Sequence, residues 1–139
     1  MTVRSIVPPI AVAAALALSA CGSDDKGKSS PEAAEKAVTP AVARAEARRT
    51  SLALVQAVAV YRAGNRAQAR NLVSEAYLEH FEHVEGPLDA RDHELTERLE
   101  EAIRDELRRK MQLGAPAAEV TALAQRILGD LTTAQAKLR

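Results

Sequence analysis

The sequence predicts an all-α domain, an up-down four-helix bundle, and three observations carry that prediction. Ala, Leu, Glu and Arg dominate, while the aromatics shrink to Tyr61, Tyr77 and Phe81, a bias towards helix and away from sheet. Apolar residues recur at three- and four-residue spacing over successive stretches. Short Gly/Pro breaks separate those stretches, and short connections force antiparallel neighbours. A three-helix bundle with a loose first segment is the fallback.

Ahead of the bundle, residues 1–20 read as a lipoprotein signal peptide. Arg4 supplies the positive start, and Ile6 to Leu18 is apolar but shorter than the roughly 20 residues a membrane span needs. Pro8 and Pro9 weigh further against a permanent membrane helix. The stretch ends Leu18-Ser19-Ala20-Cys21-Gly22, the lipobox pattern of bacterial lipoproteins. Small residues at Ser19 and Ala20 let a peptidase approach the backbone, and the Cys21 thiol can then be alkylated by a diacylglycerol. Two or three acyl chains, at about 0.8 kcal/mol per buried methylene, give stable anchoring. Cys21 is the only cysteine, so no intramolecular disulfide can form, and lipidation leaves no thiolate for a metal cluster. Residues 21–38 are then the lipidated cysteine and its linker. Gly22 to Pro31 is polar and Gly/Ser-rich, which predicts a flexible tether. The expected location is the cell envelope, on a membrane through the lipid and facing the extracytoplasmic side.

The domain proper is predicted over residues 39–139. Removing residues 1–20 takes away Arg4 alone, leaving 18 basic against 19 acidic side chains in 119 residues. No basic patch emerges, and nucleic acid is excluded as a partner. About 100 residues suffice for one core.

The first helix is predicted from Pro40 to Arg62, with Thr39 as its cap and Pro40 at its first position. Its second half, Leu52 to Tyr61, is apolar nearly all round, so it is either central in the bundle or covered by a partner. Gly64 fits a left-handed C-cap and Asn65 the next N-cap. The second helix runs from Arg66 to about Glu85, with Ala69, Leu72, Val73, Ala76, Tyr77, Phe81 and Val84 on its apolar face, and Gly86-Pro87 should kink or end it. The third runs from Asp92 to about Leu113 on a stripe of Leu95, Leu99, Ala102, Ile103 and Leu107. Its outer face is dense in Glu and Arg, and Glu100–Arg104 offers four-residue support. Gly114-Ala115-Pro116 breaks the chain, and the fourth helix runs from Ala117 to about Leu138 on Val120, Leu123, Ala124, Ile127, Leu128, Leu131, Ala134 and Leu138.

The most unusual stretch is Glu79-His80-Phe81-Glu82-His83-Val84-Glu85. On a regular helix Glu75, Glu79 and His83 form one ridge, and such a ladder of carboxylate and imidazole can grip iron, zinc or copper. Glu75, Glu79, Glu82 and His83 are therefore the candidate metal ligands, set against the plainer reading of an acidic solvated face. Glu82 and Glu85 project to the polar side of that wheel. His80 falls within the apolar stripe and needs a hydrogen-bond partner, for which Glu106 of the third helix is the candidate. His93 and Glu97 make at most a local pair. The sequence carries no zincin motif, no phosphate-cradling Gly loop and no nucleophile motif, so no enzyme is expected. No cofactor is required; iron or another divalent metal is the candidate ligand.

From Tyr61 onward the sequence carries a further pattern. Tyr61-Arg62-Ala63-Gly64-Asn65 is followed by Ala67 and Ala69, then by Ala76-Tyr77-Leu78, Phe81-Glu82, Glu85 and Leu88, and later by Glu100 and Gly114-Ala115-Pro116-Ala117-Ala118-Glu119-Val120. This resembles the extracytoplasmic helical domain ahead of the membrane part of bacterial high-affinity, oxidase-dependent (Ftr-type) iron permeases, over roughly Leu52 to Leu138. The resemblance implies an extracytoplasmic bundle associated with iron uptake, with Tyr77, Phe81, Glu82 and Glu85 as the marking residues. His80 and His83 are not part of that pattern. The sequence has no permease helices and no Arg-Glu-x-x-Glu translocation motif. The expected role is thus a lipid-anchored accessory protein that binds iron or another metal, or delivers it to a membrane permease. The alternative is a structural or protein-interaction lipoprotein with no ligand.

Overall fold

A computed structural model describes residues 38–139; the predicted signal peptide, Cys21 and the linker up to residue 37 lie outside the described residues. Among the described residues every regular element is helical. Four helices follow one another: α1 (Pro40–Arg62), α2, α3 and α4 (Ala117–Lys137). Helix α2 is continuous through Arg66–Glu75, a π-helical stretch Ala76–Phe81, and Glu82–Asp89. Helix α3 is built the same way, from His93–Glu100, a π-helical stretch Glu101–Leu107, and Arg108–Leu113. None of these helices is long and apolar enough to cross a membrane.

The helix starts obey local chemistry. The Thr39 hydroxyl accepts from Val42 N–H at 3.3 Å, Asn65 Oδ1 from Gln68 N–H at 3.1 Å, and Asp92 Oδ1 from Leu95 N–H at 3.0 Å. Each satisfies a donor that the first helical turn leaves orphaned. The two tight turns reverse at Gly64 (φ +93°) and Gly114 (φ +72°), in the region where a Cβ is penalised.

Cross-helix pairs fix the register. Glu46 of α1 meets His80 of α2, Arg98 and Lys110 of α3 meet Asp130 and Glu119 of α4, and Arg48 of α1 meets Gln135 of α4. In each helix pair rising numbers face falling numbers, so neighbours are antiparallel and α4 closes the ring against α1. The Tyr61 hydroxyl donates to the Ala115 carbonyl at 2.7 Å, tying the end of α1 to the α3–α4 turn.

One core runs through the bundle, from Ala43 to Leu138, with Phe81, Leu54, Leu88, Leu99, Ile103 and Met111 fully buried. Burying each large side chain contributes about 1.5–3 kcal/mol. Among the described residues this core spans 43–138, and Val38 packs against it. The apolar stripes read from the sequence are this core, apart from Leu72, Ala102 and Leu128, which are only partly buried.

Two expectations need correcting. The second half of α1 is not central: Leu54, Ala57 and Tyr61 face the core, but Leu52 is 71% and Val55 53% exposed. Gly86-Pro87 does not end α2 either. Pro87 sits inside the helix, which continues to Asp89 and closes where the Leu88 carbonyl accepts from both Arg91 and Asp92 N–H at 2.8 Å. Pro87 has no N–H to return to the His83 carbonyl, so the helix carries past it one bond short.

Candidate functional site

The π-helical stretches decide which side chains meet. In α2 the Glu82 N–H bonds back to the Tyr77 carbonyl, a five-residue step in place of four. Over eight residues a regular helix leaves side chains about 80° apart, and one inserted residue removes about 100° of that turn. Tyr77 and Glu85 are thereby brought into line, and the Tyr77 hydroxyl donates to Glu85 Oε1 at 2.7 Å. Glu85 is half-buried, not on the polar side where a regular wheel places it.

Helix α3 brings two more groups to the same place. Glu100, at the entry to its π-helical stretch, is paired with Arg104, as the four-residue spacing predicts. Arg104 also bonds Asp105, through Nε at 3.3 Å and Nη2 at 3.1 Å. Phe81 lies beneath, its ring centroid 5.8 Å from that of Tyr77. The cluster thus holds one phenol, two carboxylates from different helices and one guanidinium.

Its electrostatics are those of a half-desolvated acidic site. Burial, first, and then the hydrogen bond to Glu85 and the charges of Glu85 and Glu100 push the Tyr77 hydroxyl well above its usual range, against the opposing pull of Arg104. Burial also raises the Glu85 carboxyl; its bond from Tyr77 opposes this, while the negative charges of Glu100 and Glu82 add to it and Arg104 subtracts. Arg104 is held even more firmly protonated than usual, chiefly by Asp105 and then by Tyr77.

A second polar contact lies between α1 and α2. Glu46 is only 7% exposed, and both its oxygens are used: Oε2 accepts from His80 Nδ1 at 3.0 Å and Oε1 from Arg49. The Thr50 hydroxyl donates to the Glu46 backbone carbonyl at 3.0 Å. His80 is half-buried, and its partner is Glu46, not Glu106; Glu106 is half-buried within the π-helical stretch of α3. Glu46 escaped the sequence reading although a signal existed, since it lies on the stripe of Ala43, Ala47, Thr50, Leu54 and Ala57 that α1 buries.

The proposed metal ladder is not assembled. Glu75, Glu79, Glu82 and His83 are all exposed, and the π-helical stretch between Glu75 and Glu82 breaks the regular ridge on which the ladder depended. Glu75 and Glu79 instead border, with His80, a groove between α1 and α2. Among the described residues no group of three or more His, Cys, Asp or Glu side chains is arranged to hold a metal ion. His93 makes local pairs only, with Asp89 at 2.6 Å and Glu97 at 3.4 Å. Cys21, the lipidation residue, lies outside the described residues.

Compared with models of protein families, with curated proteins and with solved structures, the chain matches none of them.

Proposed function

We propose that this chain is a lipid-anchored, extracytoplasmic accessory protein that takes iron as cargo at the Tyr77–Glu85–Glu100 cluster, for a membrane permease. One observation carries the reading. Tyr77, Phe81 and Glu85, three of the four residues that mark the resemblance to iron-permease extracytoplasmic domains, gather on α2, and Glu100 of α3, quoted in the same pattern, lies near them, while the fourth marker, Glu82, stays exposed. Packing alone accounts for Phe81, but it gives no reason for a desolvated phenol and two carboxylates to share a site.

The donor set is oxygen only, two carboxylates and a phenol, which suits a hard cation such as ferric iron better than the softer metals that favour imidazole or thiolate. Arg104 now supplies the positive charge against Glu100. Its second partner, Asp105, gives the guanidinium a place to retreat when a cation replaces it. Loading releases protons, because Glu85 and Tyr77 are both held towards their protonated forms. Uptake therefore weakens as pH falls.

The test is a calorimetric titration of soluble protein starting at Gly22 with ferric, ferrous, cupric and zinc ions. One-site binding of iron is expected, lost in Glu85→Gln and in Glu100→Gln and unchanged in Glu79→Gln and His83→Ala. A flat titration for every ion sinks the cargo reading. Loss on changing Glu79 or His83 alone would move the site back to the outer face of α2. A second reading, an interaction module without a ligand, is favoured by the exposed Leu52 and Val55 of α1.

A further inference from the structure

The two flanks of α1 differ in charge. On the α2 side its groove is bordered by Glu75, Glu79 and His80. On the α4 side the groove is lined by Val55, Val58, Ala59 and Leu128 with Thr121 and Gln125, and the one charged residue along it is Arg62. The groove extends past Ala117, Ala118 and Ala122 without acquiring an acid. Nearer the start of α1, Arg48 reaches across to Gln135.

Helix α1 carries Arg44, Arg48, Arg49 and Arg62 against a single acid, Glu46. Glu46 is buried and occupied by Arg49 and His80. The side of this helix turned towards α4 therefore presents guanidinium and apolar groups, with Leu52 71% and Val55 53% exposed between the arginines. The two acids of α4, Glu119 and Asp130, are engaged by Lys110 and Arg98 of α3. A surface that is cationic and apolar together, on a helix lying along the outside of the bundle, complements an interface that is anionic at its top and apolar just below. That is the headgroup region of a bilayer containing anionic phospholipid.

Chain length agrees. Cys21 stands 18 residues before Thr39, a reach of at most about 60 Å. Helix α1 is itself only about 35 Å long, so an acylated Cys21 leaves the whole helix within reach of the surface. We infer that the α1–α4 face docks on anionic phospholipid, with Arg44, Arg48 and Arg62 on phosphates and Leu52 and Val55 entering below them. The inference rests on the lipid-anchored reading and adds an orientation to it. In a ring of four helices the α2–α3 cluster then faces away from the lipid.

The test uses the soluble chain from Gly22 to Arg139, which retains every described core residue, in sedimentation with vesicles. Vesicles of phosphatidylcholine with about 30% phosphatidylglycerol are expected to retain the protein, and pure phosphatidylcholine to lose it. Retention should fall roughly tenfold or more in about 0.5 M NaCl, and likewise in the double variant Arg48→Glu, Arg62→Glu. Leu52→Gln with Val55→Gln should weaken it at unchanged salt dependence. Far-UV circular dichroism checks that these variants of exposed residues keep their helix content. Equal retention on both vesicles, no retention on either, or unaltered binding by the charge-reversed variant overturns the inference. So does binding confined to native membranes and abolished by trypsin treatment of them, which would assign the face to a protein. The anchor is scored separately, from the mass of the Cys21 peptide of the full chain, and iron binding by the titration above, so failure here is distinct from failure of either.

Discussion

Glu85 is a carboxylate held where its charge is unwelcome, half-buried and facing two other acids. Its folded-state pKa is raised, so the stability it contributes is fully present below its unfolded value and is lost as pH rises through the folded one. Asp92 works in the opposite sense. Lys137 and the Leu95 N–H depress its pKa, and its contribution is present above the unfolded value and lost as pH falls through the folded one. Glu85→Gln keeps an acceptor for the Tyr77 hydroxyl and removes the charge. At about pH 7.5 the variant is expected to melt above the wild type, and the gain should shrink towards zero near pH 4.5. Thermal melts followed by circular dichroism measure this; a gain that is the same at both pH values would contradict the account of Glu85. The sequence marked Tyr77 and Glu85, along with Phe81 and Glu82, and paired Glu100 with Arg104 correctly. It could not show that Tyr77 and Glu85 meet, because a 100° wheel sends Glu85 outward. The same wheel drew His80 towards Glu106, when Glu46, on the buried stripe of α1, is the actual partner.

Helix starts and turns were legible for a simple reason: caps are local chemistry. Thr39, Asn65, Gly64 and Gly114 do what their residue types favour. The π-helical stretches were not legible, since no residue type announces an inserted residue and the register of the surrounding core decides it. The two glycine turns also differ in a way that can be measured. A Cβ at Gly64 would meet nothing, whereas one at Gly114 would run into the Arg66 guanidinium. Both substitutions by alanine pay for positive φ, about 1–2 kcal/mol. Gly114→Ala must in addition displace the Arg66 guanidinium, and it is expected to lower the urea midpoint more than Gly64→Ala. In the double variant Gly114→Ala, Arg66→Ala the extra loss should disappear. If the two substitutions were strictly additive, the close approach of Arg66 would have no energetic meaning.

At the scale of the molecule the four stripes close one core, and Phe81 stands in it at the end of the π-helical stretch of α2. Phe81→Ala is expected to cost about 3–5 kcal/mol, within a single urea transition. Two separated transitions would mean that the halves of α2 on either side of the π-helical stretch melt independently. The all-helical fold and its antiparallel order followed from stripes and short breaks. What the sequence left open was which of two apolar faces of α1 turns inward, because Ala and Val populate both and only the partners' shapes choose between them. The number of helices has a further consequence. Four is even, so the chain returns to the end from which it set out. Arg48 pairs with Gln135 and Lys137 with Asp92 there, while Gly64 and Gly114 both turn at the opposite pole. A label fused after Arg139 therefore emerges at the same pole as Thr39. A short insertion at Gly64 sits a full helix length away, where it leaves both chain ends free.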